Sequence, residues 1–317
     1  MANFISIGVI QTALELGMIY SIVALALFLS YSMLNVCDLS TDGCFTLGCA
    51  VGAVVALSGH PILAIFAAML AGIISGGVTA VLQTRCGIAS ILAGIIVNTG
   101  LYTINIMVMG KKSILNLNST TTIFTMVKDA LEGTPLADYS KLIVGIGFAA
   151  LAAVFLIVFL RTRLGLSIRA TGDNVEMVRA SSINPTYTIT VGLCAANALT
   201  ALAGCLLGEY QKSCDINGGT GMVTIALASL IIGEVMARGK GSVAKRVLFV
   251  ILGSCLYRTI VAIAMRLNMP ASALKLVSAV IVAIALAMPH VKAHMMDYRK
   301  KRAALRSMES EMEETVC

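Results

Sequence analysis

The residue types that catalysis uses most often are scarce in this chain and poorly placed for it. The three histidines, His60, His290 and His294, lie near the edges of apolar runs, where neither a Ser-His-Asp triad nor a His-based metal site has a core position. The nine cysteines are scattered without a C-x-x-C pair, and most stand in apolar runs, where a free Cys behaves as a small hydrophobic residue. We therefore predict no catalytic residue, no metal site and no disulfide framework.

The chain also lacks a loop of the kind that binds ATP. The nearest match to G-x-x-x-x-G-K-[ST] is Gly239-Lys240-Gly241, where Gly replaces the hydroxyl residue that binds Mg²⁺ and Gly233 stands one residue too far upstream. A flexible turn is the better interpretation of this segment. The sequence thus predicts that the chain is not an enzyme and binds no cofactor itself.

A few ionisable groups lie in or beside the apolar runs. Glu234 and Lys275 lie close enough to predicted helix ends to reach the interface by snorkelling. Arg258 is near the centre of run 247–265, where a lone cation costs at least about 2.5–3.5 kcal/mol, so it should face protein and find an acceptor. Asp38 and Asp42, in N-V-C-D-L-S-T-D-G, are either a loop residue and an N-cap or groups of a pathway. Asp38, Asp42 and Arg258 are the candidates for a pathway or gate, although a structural pair is favoured for Arg258.

The composition identifies the solvent in which these groups must be positioned. Of 317 residues 58% are hydrophobic and 12% charged, against about 45–50% and about 25% in soluble domains. The mean hydropathy of +0.92 also excludes a disordered chain. The net charge of +7 comes from short clusters and one tail, without a basic face interleaved with aromatic residues, so no nucleic acid partner is expected. We predict a membrane protein.

Charge-free runs of the length that spans a bilayer, about 20 residues, predict the architecture. They indicate an all-α polytopic membrane helix bundle with eight or nine transmembrane helices, in which residues 4–34 are either one long tilted helix or a surface helix followed by a crossing. The uninterrupted runs are 16–37, 43–84 (two crossings with a turn at 59–61), 86–110, 142–160, 180–208 and 216–233, and two more with single charges are 247–265 and 271–291.

Lys and Arg in short loops mark the cytoplasmic side. Residues 161–179, residues 238–246 and the tail 292–317 carry most of these charges, so we place all three inside and the polar segment 111–141 outside. Residues 1–291 then form the membrane domain and 292–317 a charged cytoplasmic tail. The first 14 residues carry no charge, so no cleavable signal peptide is expected.

Three G-x-x-x-G pairs lie in the charge-free runs, and this spacing allows close approach of helix backbones in lipid. They are Gly48 with Gly52, Gly72 with Gly76, and Gly204 with Gly208. The pairs predict a compact bundle.

The segment 161–184 is the most informative part of the chain. Asp173 is a predicted N-cap, Glu176 can complete a capping box, and a short helix over residues 174–183 would end at Asn184-Pro185. A basic loop that binds anionic lipid is the alternative, but lipid attraction requires only Lys and Arg and does not explain a capped helix of mixed charge. We therefore expect this helix to bind a protein surface.

At this segment the chain resembles the permease subunits of bacterial ABC importers of the branched-chain amino acid type, including relatives assigned to tryptophan or tyrosine uptake. The matching blocks are R-x-x-x-G-x-x-x-R-A-T-G-D-N-x-E-M-x-R-A at 161–180, A-N-A-L-T-A-L-A-G-C-L-L-G-E-Y-Q at 196–211, L-E-L-G-M-I-Y-S-I-V-A-L at 14–25, D-L-S-T-D-G at 38–43, Y-R-T-I-V-A-I-A-M-R-L at 257–267 and L-K-L at 274–276. The chain departs from the family at Ser181 and Ser182, where relatives often carry Leu-Gly.

The resemblance implies a type II ABC importer permease fold in a bacterial inner membrane and a small solute, namely a branched-chain or aromatic amino acid. It also implies a second permease copy, surrounding membrane lipid, an external delivery protein that binds the solute, and separate ATPase subunits that use ATP and Mg²⁺. The family's coupling residues would be Arg169, Ala170, Thr171, Gly172, Asp173, Asn174, Glu176, Met177 and Arg179. An ion- or proton-coupled secondary transporter is the alternative, and a membrane enzyme is a weaker third.

The delivery protein would meet polar residues at the outer ends of two helices. Glu209 and Gln211 close one predicted helix, and Asp215, Asn217 and Gly218 begin the return. Solvated loop caps have the same appearance in a single sequence, so both interpretations stay open. We expect Glu209, Gln211 and Asp215 to form an exposed rim.

Overall fold

The computed structural model describes residues 7–133, 137–237 and 242–266, together with five positions between 276 and 287. Within these ranges the chain is almost wholly helical. The helices are α1 (Ile7–Leu27, continued by a π-helical turn, Phe28–Met33), α2 (Thr41–Leu57), α3 (Pro61–Thr84), α4 (Ser90–Val108), α5 (Ile123–Ala130), α6 (Ser140–Arg161), α7 (Arg163–Asp173), α8 (Val175–Ala180), α9 (Pro185–Gln211), α10 (Met222–Ala237) and α11 (Val243–Arg266). Two short strands, β1 (Ile114–Asn116) and β2 (Ser213–Asp215), pair antiparallel, and a 3-10 turn, Ala137–Tyr139, precedes α6.

Six of these helices are long and apolar enough to cross a membrane, and α2 and α10 are apolar but shorter, with 17 and 16 residues. The prediction of an all-α polytopic bundle is confirmed. A single helix over Gly8–Met33 accounts for the first run, so no separate surface helix precedes the crossing among residues 7–34. The predicted crossing 271–291, Lys275, the tail 292–317 and the turn 238–241 lie outside the described residues.

The tightest part of the bundle is the packing of α9 against α2 and α3, and all three G-x-x-x-G pairs lie in it. Each of these six glycines faces a neighbouring helix so closely that an added Cβ would collide with it: Gly48 and Gly52 with Ala201 and Cys205, Gly72 and Gly76 with Asn197 and Leu193, Gly204 and Gly208 with Phe45 and Cys49. Real Cβ atoms essentially never come within 3.0 Å of such neighbours, whereas the Cβ of residue 76 would lie 2.6 Å from the Leu193 carbonyl oxygen. The predicted close crossings are confirmed.

The second half of the bundle packs α1 against α11 and α11 against α10. The Ser254 hydroxyl donates a 2.9 Å hydrogen bond to the carbonyl of Gly17, which itself lies against Cys255. Gly253 of α11 lies against the backbone of Ser229 and Gly233 in α10. Small residues therefore bring backbones together here as well, as expected where lipid supplies no hydrophobic drive between helices.

Two helices begin inside the bundle rather than at one of its ends. The start of α2 lies beside Asn197, whose carbonyl accepts from the Cys44 thiol, and this level is about 18 Å along α9 from Pro185 at 1.5 Å per residue. The start of α10 lies against the first turn of α2, because Gly221 and Val223 both bond to Asp42. The amino-terminal ends of α2 and α10 thus meet in the interior, and this meeting point positions the polar groups of the site.

Candidate functional site

The segment predicted to couple to an ATPase forms α7 and α8, which connect α6 to α9. Its inner side is tied to the bundle: Val178 is fully buried, the Thr171 and Thr188 hydroxyls are 2.8 Å apart, and Gly172 packs against the backbone carbonyl of Met33. Thr171 and Gly172 therefore face the bundle. They position the segment and leave other residues to form its surface.

The surface of this segment is a continuous exposed tip, which we call the α7–α8 tip. Its exposed residues are Asp173, Asn174, Val175, Glu176, Met177 and Arg179, whereas Arg169 and Ala170 are half-buried. Glu176 and Arg179 form an exposed ion pair of 2.9 Å, and such pairs contribute only about 0–1 kcal/mol. Met177 is 51% exposed, so the tip presents a large apolar side chain on its surface.

The predicted cap of the short helix was wrong by one residue. Asp173 is the last residue of α7, while Asn174 adopts the extended conformation of an N-cap (φ −160°, ψ 106°) and its Oδ1 accepts from the Met177 N–H at 3.0 Å. Glu176 forms no capping box, because its carboxylate pairs with Arg179 instead. The helix α8 is also shorter than predicted and ends at Ala180.

The turn that follows α8 contains Ser181 and Ser182, where the sequence is expected to depart from the family. Ser182, the second of these two positions, has φ +61°, the left-handed region that favours glycine. Asn184 then caps α9 by accepting from the Thr186 N–H at 3.0 Å, with Pro185 in the first turn. The turn after α8 therefore places a serine in a backbone conformation that glycine adopts more easily.

Asp38 lies in an irregular segment, residues 35–40, between the π-helical turn and α2. Its side chain is buried, Oδ1 accepts from the Ser40 N–H at 2.8 Å and hydroxyl at 2.6 Å, and Oδ2 accepts from Asn197 Nδ2 at 2.8 Å. Three donors offset much of the cost of burying a carboxylate. Asp38 therefore attaches the irregular segment to α9.

Asp42 does not cap its own helix, contrary to the N-cap interpretation. It lies in the first turn of α2, whose N-cap position is Ser40. Its carboxylate accepts from the backbone N–H groups of Gly221 at 2.9 Å and Val223 at 2.8 Å, so it caps α10. A carboxylate is well suited to this position because it offsets the positive end of the helix dipole. Asp42 joins the two helix starts in the interior of the bundle.

Arg258 faces protein, as expected, but its main partner is aromatic. Its guanidinium carbon lies 3.5 Å from the centroid of the Tyr20 ring, and within the described part of the chain Nε has no hydrogen-bond acceptor. A cation over an aromatic face is stabilised by the ring quadrupole. Glu234, expected to snorkel, instead accepts from the Arg246 guanidinium and the Ser32 hydroxyl.

The predicted exposed rim is wrong at Glu209. This side chain is 1% exposed, and its Oε2 accepts from the Ile123 N–H at 2.8 Å, so it holds α5 against the end of α9. Gln211 and Asp215 are exposed, and Asp215 accepts from the Asn217 N–H in a tight turn. The two exposed residues remain candidates for a rim, and Glu209 is a structural residue.

A polar cavity of about 370 Å³ opens beside the meeting point of α2 and α10, and we call it the Asp42 cavity. Its lining comes from the first turns of α2, one face of α4 and the segment before α10: Asp42, Gly43, Thr46, Asn98, Thr99, Tyr102, Thr103, Asn105, Ile216, Asn217 and Thr220. Sequence reasoning missed the α4 contribution. The signal was present as five polar residues between positions 98 and 105 of a charge-free run.

Asn105 is the deepest of these α4 residues. It is 1% exposed, and its Nδ2 donates to the carbonyl of Gly43 at 3.1 Å. Among the residues that the structure describes, its Oδ1 has no hydrogen-bond partner, although buried polar atoms are nearly always paired. The cavity therefore contains one half-buried carboxyl group, that of Asp42, and one buried amide oxygen without a partner among the described residues.

Comparison with known proteins agrees with this architecture. Residues 9–288 match the family described as the permease component of branched-chain amino acid transport systems. A tyrosine transport system permease protein of Clostridioides difficile (strain R20291) is 32% identical over 276 residues, covering 87% of this chain and 89% of the relative. An uncharacterized protein of Rickettsia prowazekii (strain Madrid E) is 30% identical over 227 residues, covering 72% and 77%. No solved structure matches the chain.

The membrane-spanning helices and the extent of the family match define the class of protein: a multi-pass membrane permease. The chain belongs to the family of permease components of branched-chain amino acid transport systems, and it is an ABC-type permease for amino acids.

Proposed function

We propose that this chain is the import pathway of an ABC transporter whose ATP is hydrolysed by a separate subunit bound at the α7–α8 tip. The observation that supports this most directly is the combination of an anchored inner side, through Thr171 and Gly172, with an exposed apolar residue, Met177, at the end of the bundle. In this proposal ATP and Mg²⁺ are bound by the partner, and this chain supplies the mechanical connection.

The solute that we propose is an aromatic amino acid, because the similar permease of Clostridioides difficile carries the name of a tyrosine transport system. A second copy of the chain would complete the pathway within the lipid, and a delivery protein would dock near Gln211 and Asp215 at the end of the bundle that carries β1 and β2. Uptake of radiolabelled L-tyrosine, L-tryptophan and L-leucine into cells, with and without the chain, tests the solute class.

The test of coupling compares two exposed methionines at opposite ends of the bundle. Met177→Asp removes apolar contact at the α7–α8 tip, and Met126→Asp, in α5, is the matched control. Burial of a Met side chain stabilises an interface by about 1.5–3 kcal/mol, so co-purification of the ATPase should fall at least about tenfold for Met177→Asp and remain unchanged for Met126→Asp.

Equal co-purification and equal solute-stimulated ATP hydrolysis in both variants would contradict the assignment of the tip. Uptake that persists after ATP depletion but stops when ion gradients are collapsed would instead identify the chain as a secondary transporter.

We also propose that the α7–α8 tip, residues 242–246 and the carboxyl terminus face the cytoplasm of a bacterium and that β1, β2 and α5 face outward, because Lys and Arg concentrate on the first side. Ser119→Cys and Ser242→Cys, introduced separately, should differ in labelling by an impermeant maleimide on intact cells, with only position 119 reactive. Equal labelling of the two introduced cysteines would contradict this orientation.

A further inference from the structure

We propose that the Asp42 cavity binds the ammonium group of the transported solute on its way through the membrane. This inference rests on the proposed function in taking an amino acid as the solute. It goes beyond that function by assigning a binding site within the permease, with Asp42 as the charged acceptor and Asn105 as a neutral one.

The charge of the cavity selects the group that it would bind. Among the described residues that line the cavity, Asp42 is the one ionisable acid apart from the phenol of Tyr102, and none is Lys, Arg or His. Each Asp42 oxygen accepts one backbone N–H, and a carboxylate oxygen has two lone pairs, so acceptor capacity remains on both. A cationic donor adds a charge-assisted hydrogen bond, which is about twice as strong as a neutral one.

The unpartnered Oδ1 of Asn105 is a second, independent observation. An unsatisfied buried acceptor costs about 1–3 kcal/mol, and this cost is removed when a ligand donates to it. Its Nδ2 bond to the Gly43 carbonyl fixes the orientation of the amide beside the start of α2. An ammonium carries three N–H donors, so it can reach a carboxylate and an amide oxygen together.

The outer wall of the cavity points to a pathway rather than to lipid. Thr99, Tyr102 and Thr103 are exposed on α4, a helix that is long and apolar enough to span a membrane. Polar groups at membrane depth face the bundle interior, a partner or a water-filled cavity. The volume of about 370 Å³ lies in the range of about 300–1,000 Å³ of small-molecule sites, and the half-exposed Tyr102 ring offers a stacking surface for an aromatic side chain.

The test measures protection of a cysteine placed in the cavity. Thr99→Cys in the full-length chain, purified with its ATPase partner in nanodiscs, is labelled by a maleimide, and the peptide that contains residue 99 is followed by mass spectrometry so that native cysteines do not interfere. The probes are L-tyrosine, tyramine, which lacks the carboxylate, and 3-(4-hydroxyphenyl)propionate, which lacks the ammonium. Ser119→Cys, on the exposed loop before α5, is the control position.

We expect L-tyrosine and tyramine to slow labelling at position 99 but not at 119, and the probe without an ammonium to have no effect. Asp42→Asn should raise the tyramine concentration for half-protection at least about tenfold. The same variant should no longer discriminate between tyramine and the propionate, whereas Asp42→Glu should keep this discrimination. Asp129→Asn, an exposed carboxylate change in α5, should leave protection unchanged.

Equal protection by tyramine and the propionate, or no protection in a protein that imports tyrosine, would overturn the site. Absence of uptake for every amino acid tested, with tyramine still protecting position 99, would overturn the solute class and retain the ammonium site. If Asp42→Asn does not fold, the three probes against unchanged Asp42 decide the same question.

Discussion

Replacement of Gly204 by Ala tests the closest contact of the bundle. The added Cβ would point at the carbonyl oxygen and carbon of Phe45, the latter at 2.9 Å, and would lie 3.2 Å from the amide of Cys49. All these atoms are backbone, so relief requires α2 and α9 to separate. Overpacking typically costs about 1–3 kcal/mol. Ala also favours a helix by about 1 kcal/mol over Gly, so the net destabilisation is smaller than the steric term alone.

The matched control is Gly147→Ala in α6, where the added Cβ meets nothing within 4 Å and the helix-propensity gain is unopposed. The two substitutions have the same chemistry and differ only in packing. We expect Gly204→Ala to lower the unfolding midpoint by several degrees and Gly147→Ala to raise it slightly, since 1 kcal/mol corresponds to about 2–4 °C in chains of 150–250 residues.

Because the chain contains no Trp, the fraction that remains folded after heating is best measured by size-exclusion chromatography in detergent. Gly204→Ala with a midpoint equal to that of Gly147→Ala would show that α2 and α9 are not in backbone contact at this level, and the account of the G-x-x-x-G pairs would fail.

Three further predictions concern Glu209 and Glu234, which the structure places differently from the sequence-based expectation, and Ser182 in the turn after α8. Glu209→Ala should destabilise the protein by about 1–3 kcal/mol through the unpaired Ile123 N–H, with α5 more sensitive to proteolysis. Glu234→Gln should destabilise the protein, because Arg246 loses its carboxylate partner. In thermal unfolding, the double variant Glu234→Gln/Arg246→Met should lose less stability than the sum of the losses in the two single variants. Ser182→Gly should raise the unfolding midpoint, since a left-handed conformation costs a non-glycine residue about 1–2 kcal/mol.

Features that depend on local spacing were predictable from the sequence. The G-x-x-x-G pairs place two small residues on one helix face regardless of what lies opposite, and any close neighbour then makes a tight crossing. The limits of the long spans follow in the same way from apolar length. The break at Gly59 and Pro61 also separates α2 from α3 as expected, with φ +87° at the glycine.

The polar site was not predictable, because its contacts join distant parts of the chain. Asp42 bonds to N–H groups about 180 residues away, and Glu209 to one about 90 residues away, so neither partner is visible in the local sequence. The choice between Asp173 and Asn174 as a cap depends on where α7 ends. Both residue types are good caps, so the local sequence does not choose between them. In the structure α7 ends at Asp173, one residue after Gly172 contacts Met33.

The interior starts of α2 and α10 have a consequence for biosynthesis. At 17 and 16 residues, both helices are shorter than the about 20 residues of an independently inserted span, and α2 begins with an unwound segment whose Asp38 requires Asn197. These two side chains are 159 residues apart in the chain, which corresponds to roughly 8–32 s of translation at about 5–20 residues per second. During that interval α2 lacks its native neighbour, so nascent chains should expose residues 35–57 to membrane chaperones and proteases until α9 has been made.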